Sequence, residues 1–145
     1  HQNGEHIIQS FQLGAVRGML GKEDPEEWKR LEMWLKKQSK VSNLVGLGGS
    51  IRSFLNMHSS KKMSNLDFIQ KSSDLSSQSL DDKISNYKLA NDRADVIDHA
   101  LKIYLKIIAG LGIKIIKATK WGVSDSIAVK TFHELYSKKI SIYKN

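Results

Sequence analysis

The 145-residue sequence predicts an α/β fold: a mixed sheet flanked by helices, with its first strand or strands missing. Three observations predict it. Segments alternate in the order strand, glycine turn, helix, further helices, strand, turn, helix. The amino end carries Asn3-Gly4, the strongest two-residue hairpin signal, ahead of a single strand, while the later strands are separated by helices. Glycines also stand at the turn between a strand and a helix, at Gly46, Gly48 and Gly49, and at the close of a helix, at Gly112.

Each element has its own warrant. Glu5 to Phe11 reads as the second strand of a hairpin whose first strand would precede the chain. Leu13 to Leu20 forms a short helix closed near Gly21. Asp24-Pro25-Glu26-Glu27 opens a stronger one: Asp24 caps it, Pro25 fits its first position and Glu27 completes a capping box. Trp28, Leu31, Trp34 and Leu35 recur at helical spacing and form its core face. Ser42 to Val45 is a short buried strand, and Ile51, Phe54 and Leu55 line a helix after it. Residues 58–79 turn rich in serine and lysine, with Leu66, Phe68 and Ile69 as an isolated apolar group, and read as a mobile polar insertion. Ser79 caps a further helix. A long helix from Arg93 to Leu111 is apolar on too broad a surface for a one-sided helix, so it belongs between layers, and Gly112 closes it. Ile113 to Ala118 is a strand. After Trp121-Gly122 comes a terminal helix with Ile127, Phe132, Leu135 and Tyr136 as apolar positions.

The composition, 40% hydrophobic and 26% charged, is ordinary for a globular domain, and the whole chain reads as one. Cysteine is absent, which excludes disulfides and thiol chemistry. No apolar run is long enough to cross a bilayer and no signal peptide opens the chain, so a cytoplasmic setting is expected. A charge of +8 and a pI near 9.6 suit a polyanion: nucleic acid, anionic lipid or a phosphate-rich small molecule. A set of solvated lysine faces accounts for the same charge. No nucleic-acid recognition motif accompanies it.

Among chemistry-bearing segments, Val45-Gly46-Leu47-Gly48-Gly49-Ser50-Ile51-Arg52 stands out. Glycines between strand and helix let backbone N–H groups approach a phosphate, and a helix N-terminus favours the anion. Ser50 can cap the helix or bond a phosphate oxygen. The segment is neither a P-loop nor a dinucleotide fingerprint, and a tight turn explains it equally well. The five histidines lack metal-ligand spacing. Asp81, Asp82, Asp92, Asp95 and Asp98 are explained by capping and surface pairing. No catalytic residue is assigned.

Three segments in order resemble the exopolyphosphatase/guanosine pentaphosphate phosphohydrolase (Ppx/GppA) family, within the actin-like ATPase (ribonuclease H-like) superfamily. Ser10-Phe11-Gln12-Leu13-Gly14-Ala15-Val16-Arg17 is similar to that family's S-x-x-L-G-A-V-R. Val45 to Arg52 is similar to its V-G-x-G-G-T-I-R, and Arg93-Ala94-Asp95-Val96-Ile97 matches R-A-D-V-I. The resemblance covers nearly everything outside residues 58–79.

It implies a two-lobed enzyme that uses Mg²⁺ and water to remove terminal phosphate from polyphosphate or guanosine pentaphosphate. This chain would be most of the second lobe. Gly46, Gly48, Gly49 and Ser50 would line the cleft near the phosphates or the nucleotide. Arg93 would reach the same cleft, unless it pairs with Asp95 or another carboxylate, while Arg52 is structural. The first phosphate loop and the catalytic glutamate would belong to the first lobe, and the second loop would lie just before His1. The chain alone should therefore be inactive. The resemblance implies no Mg²⁺ ligand here; implied partners are polyphosphate or guanosine penta- and tetraphosphate, the first lobe and a second copy of the chain. One departure stands inside the chain: Gly122-Val123-Ser124-Asp125-Ser126 occupies the place of the family's G-L-R-E-G. It leaves open a non-catalytic module that binds polyphosphate or the guanosine alarmone.

Overall fold

The computed structural model describes residues 7–142. In chain order the elements are α1 (Ala15–Met19), α2 (Pro25–Lys36), β1 (Asn43–Gly46), α3 (Gly49–Met57), β2 (Lys62–Ser64) and α4 (Asn65–Ser76). Then follow α5 (Leu80–Tyr87), α6 (Asn91–Ala94), α7 (Ile97–Leu111), β3 (Ile115–Ala118) and α8 (Val123–Ile142). The strands form one mixed sheet in the order β1-β3-β2, with β3 parallel to β1 and antiparallel to β2. The expected α/β class with a mixed sheet flanked by helices is therefore observed. The antiparallel partner, however, is β2 and not the amino-terminal segment.

That segment departs from expectation. Asn3-Gly4 lies outside the described residues, and Ile7 to Phe11 forms no strand. Its backbone and side chains find other partners: Arg30 Nη2 donates to the Ser10 carbonyl at 2.8 Å, and the Phe11 ring meets Trp34 edge-on at 5.8 Å.

Residues 58–79 correct the reading most. They are not a peripheral insertion. They supply β2 and α4, and Phe68 and Leu75 are fully buried in the core with Phe54, Ile97 and Ile116. Phe68 packs edge-on against Phe54 with centroids 4.8 Å apart. Serines that looked like linker are working parts of the element. Ser64 caps α4 by accepting from the Asp67 amide, and Ser72 is buried.

The helix expected over Arg93 to Leu111 is broken. α6 ends at Ala94 and α7 begins at Ile97, with the Val96 amide bonding back three residues to the Arg93 carbonyl. α7 itself lies at the centre of the helical layer, touching α1, α2, α3, α4 and α6, as its broad apolar surface requires. Close approach is enabled by glycine. A Cβ on Gly110 would sit 2.8 Å from Leu35 of α2, and one on Gly18 would sit 2.5 Å from His99. Gly112 ends α7 in the left-handed conformation, φ 69°.

The strand register sorts side chains by period two. Leu44, Ile116 and Met63 form one row against the helices, while Val45, Lys117 and Lys62 form a row on the opposite, open face. Ser42 to Val45 was expected to be a buried strand, but Val45 is exposed, and among the described residues no element covers that side. Leu31 and Leu35 are buried in α2, and Trp28 and Trp34 are half-buried beside them. Asp24 caps α2 as expected, but Glu27 closes no capping box. Its carboxylate accepts from the Gln12 amide at 2.7 Å and from Arg30. No helix among the described residues is long and apolar enough to cross a membrane.

Candidate functional site: a glycine loop with a guanidinium against it

β1 ends at Gly46 and α3 begins at Gly49, so the turn between strand and helix is only Leu47-Gly48. Each glycine is required for a different reason. Gly46 is buried, and a Cβ there would come within 2.8 Å of the Tyr104 hydroxyl and 2.9 Å of Ile51. Gly48 sits at φ 107°, ψ 177°, a region that side chains avoid. Gly49 lies directly under Arg93, whose guanidinium atoms would be 2.6 to 2.8 Å from an added Cβ.

The N-terminus of α3 is left open for an acceptor. Gly48 is the cap and offers no side chain, and no acidic residue stands in the first turn. The helices α2, α4 and α5 are capped by Asp24, Ser64 and Ser79. Ser50 lies inside the first turn and does not cap. The open N–H groups of α3 and the adjacent guanidinium place positive charge at this turn.

Behind the loop is a cleft of about 410 Å³, lined by Gly46, Gly48, Gly49 and Ser50 together with Ala15, Leu44, Ala100, Ile103, Tyr104 and Ile107. Two of the three sequence segments line this cleft, Ala15 from the first and the glycine loop from the second, while Arg93 of the third packs on Gly49 but lines a separate hollow with Asp92, Ser53 and Tyr87. Asp95 does not pair with Arg93. The nearest carboxylate is Asp92, 3.9 Å from Nε, and the Arg93 side chain keeps 42% of its exposure. Arg52 is structural, donating to the Lys120 carbonyl at 3.2 Å and tying the turn before α8 to α3.

Tyr104 is the cleft residue that the sequence did not single out. Its position on α7 read as core, and only its hydroxyl, uncommon in so apolar a helix, could have drawn notice. Burial raises its pKa above the usual 10.0, so the hydroxyl stays neutral. No carboxylate lines the cleft, and no group of three or more His, Asp or Glu among the described residues could hold a metal. These residues do not fit a Mg²⁺ site. At the last motif, the Gly122 amide donates to Asp125 at 2.6 Å at the start of α8, and Ser124 is exposed.

The fold so described is similar to that of Ppx/GppA phosphatases. The chain is similar to the crystal structure of the type II variant of the Aquifex aeolicus Ppx/GppA phosphatase, with a TM-score of 0.68 at 20% identity over 86% of this chain and 49% of that one. A second structure of the Aquifex aeolicus family member gives 0.64 at 20% identity, covering 83% and 47%. A third, of the Aquifex aeolicus PPX-GPPA enzyme, gives 0.61 at 20% identity, covering 81% and 46%. The chain thus spans about half the length of the solved chains it matches. No family model matches it, and no curated protein matches it by sequence.

Proposed function

We propose that this chain is most of the second lobe of a Ppx/GppA-type hydrolase that removes terminal phosphate from inorganic polyphosphate or guanosine pentaphosphate. The carrying observation is the Arg93 guanidinium packed on Gly49, beside an uncapped helix N-terminus that a positive-φ glycine turns toward the cleft. In this reading the α3 amides donate to phosphate oxygens, and Arg93 neutralises charge on the transferred group. The cleft wall facing the loop, Ala100, Ile103 and Ile107, is apolar. No carboxylate or histidine lines the cleft, so in this reading the general base would come from the other lobe, as would any Mg²⁺ ligand.

The test is steady-state kinetics on the complete two-lobed protein. Arg93→Ala and Gly48→Val should each lower kcat/KM about a hundredfold on the phosphoanhydride substrate. Gly49→Ala should act like Arg93→Ala, because its methyl displaces the guanidinium. Unchanged kinetics in both Arg93→Ala and Gly48→Val would sink the assignment. Ser124 in place of the family's arginine favours a second reading, a module that binds polyphosphate or alarmone without hydrolysing it. That reading requires a ligand-dependent rise in melting temperature with no phosphate released.

A further inference from the structure

The cleft beside the glycine loop holds a hydrogen-bonding group that neither the sequence motifs nor Arg93 account for. No charged side chain lines it, since Arg93 opens on the separate hollow. Its side-chain hydrogen-bonding groups are two hydroxyls, those of Ser50 in the first turn of α3 and Tyr104 on α7. Neither has a hydrogen-bond partner among the described residues.

Tyr104 is fixed at both ends of its side chain. The ring packs on the core, with its centroid 6.3 Å from that of Phe68. The hydroxyl stands beside Gly46, the last residue of β1, where an added Cβ would lie 2.8 Å from it. Glycine at that position leaves the hydroxyl its room directly before the turn. The oxygen is not sealed off, in contrast to the unpartnered Ser72 Oγ, so it is reachable from the cleft. Its neighbours on the same wall, Ala100, Ile103 and Ile107, offer it nothing to bond. A half-buried phenol usually keeps a partner, and leaving it without one costs the free protein stability.

We propose that Tyr104 is a ligand-contacting residue of this cleft, its hydroxyl donating a hydrogen bond to a phosphate oxygen of a chain seated on the glycine loop. The identity of that chain rests on the hydrolase reading. The proposal adds the side-chain donor that the cleft itself supplies, Arg93 acting from the other side of Gly49. An ionised phosphate oxygen accepts and does not donate, which suits a partner that brings the proton. Burial keeps that proton on the oxygen well above neutral pH.

Tyr104→Phe in the complete two-lobed protein tests it, because the ring and its packing on Phe68 are kept and only the hydroxyl goes. KM for tripolyphosphate and for guanosine pentaphosphate should each rise about tenfold, with kcat held within about twofold. The melting midpoint of the free protein should hold or rise, because an unpartnered hydroxyl has been removed. Stabilisation by tripolyphosphate should shrink. A lower midpoint for the free variant would show that the hydroxyl serves the fold, and an unchanged KM for both substrates that it meets no ligand; either result overturns the proposal. A rise in KM for the nucleotide alone overturns the phosphate contact and puts the hydroxyl on the nucleoside. Failure of the hydrolase reading looks different: the parent protein releases no phosphate from either substrate. The contact then stands if tripolyphosphate raises the melting midpoint of the parent and raises that of Tyr104→Phe less, and falls if the two respond alike.

Discussion

His58 shows how one half-buried side chain links local packing to a measurable pH response. Its ring meets Phe54 edge-on at 5.1 Å and Tyr87 at 6.2 Å. Burial, and then the nearby Lys71 charge, hold its pKa below the usual 6.5, with Asp74 opposing. The sign follows. Above pH 6.5 the imidazole is neutral in both states and the fold keeps the full benefit. As pH falls below 6.5 the unfolded chain takes up the proton first, so stability declines until the folded pKa is passed. His58→Phe keeps the ring contacts and removes the proton. Its melting midpoint should lose the His58 share of the fall below pH 6.5, and an unaltered profile would show that His58 is not the titrating group.

At the scale of elements, α4 carries the clearest consequence. Its Phe68 is fully buried against Phe54 and lies 6.3 Å from the Tyr104 ring, so it joins α4 to both α3 and α7. Phe68→Ala should cost about 3 to 5 kcal/mol by emptying that position. Chemical denaturation measures this directly, and a loss under about 1 kcal/mol would mean that α4 detaches before the core unfolds. Serine and lysine dominate residues 58–79, and their solvated faces hide the few positions that turn inward. The break between α6 and α7 also acts at this scale: with α6 separate from the α7 axis, Arg93 reaches Gly49.

At the scale of the molecule, the core lies on one side of the sheet, and among the described residues no element covers the other. α8 belongs to neither side. Its Ile127, Phe132, Leu135 and Tyr136 are all more than half exposed, and every described side chain from Ser124 to Tyr136 is exposed. A chain ended at Gly122 should therefore melt within about 2 °C of the parent, since little buried apolar area is lost. A fall of more than about 5 °C would mean that the apolar side of α8 is packed in solution.

The sequence by itself determined what depends on near neighbours. Capping by Asp24 and Ser79, closure at Gly112, the core positions Ile51, Phe54 and Leu55, and the glycine turn before them all rest on residues a few positions apart. Most of the candidate site was legible for the same reason, since its loop is a local motif. Tertiary structure decided the rest. Whether Arg93 faces Asp95 or Gly49, whether Tyr104 is core or cleft wall, and whether a serine-rich stretch is linker or core all turn on contacts between segments far apart in sequence. Such contacts follow from which surfaces remain to be buried once every element has formed, and spacing along one chain does not encode that alone.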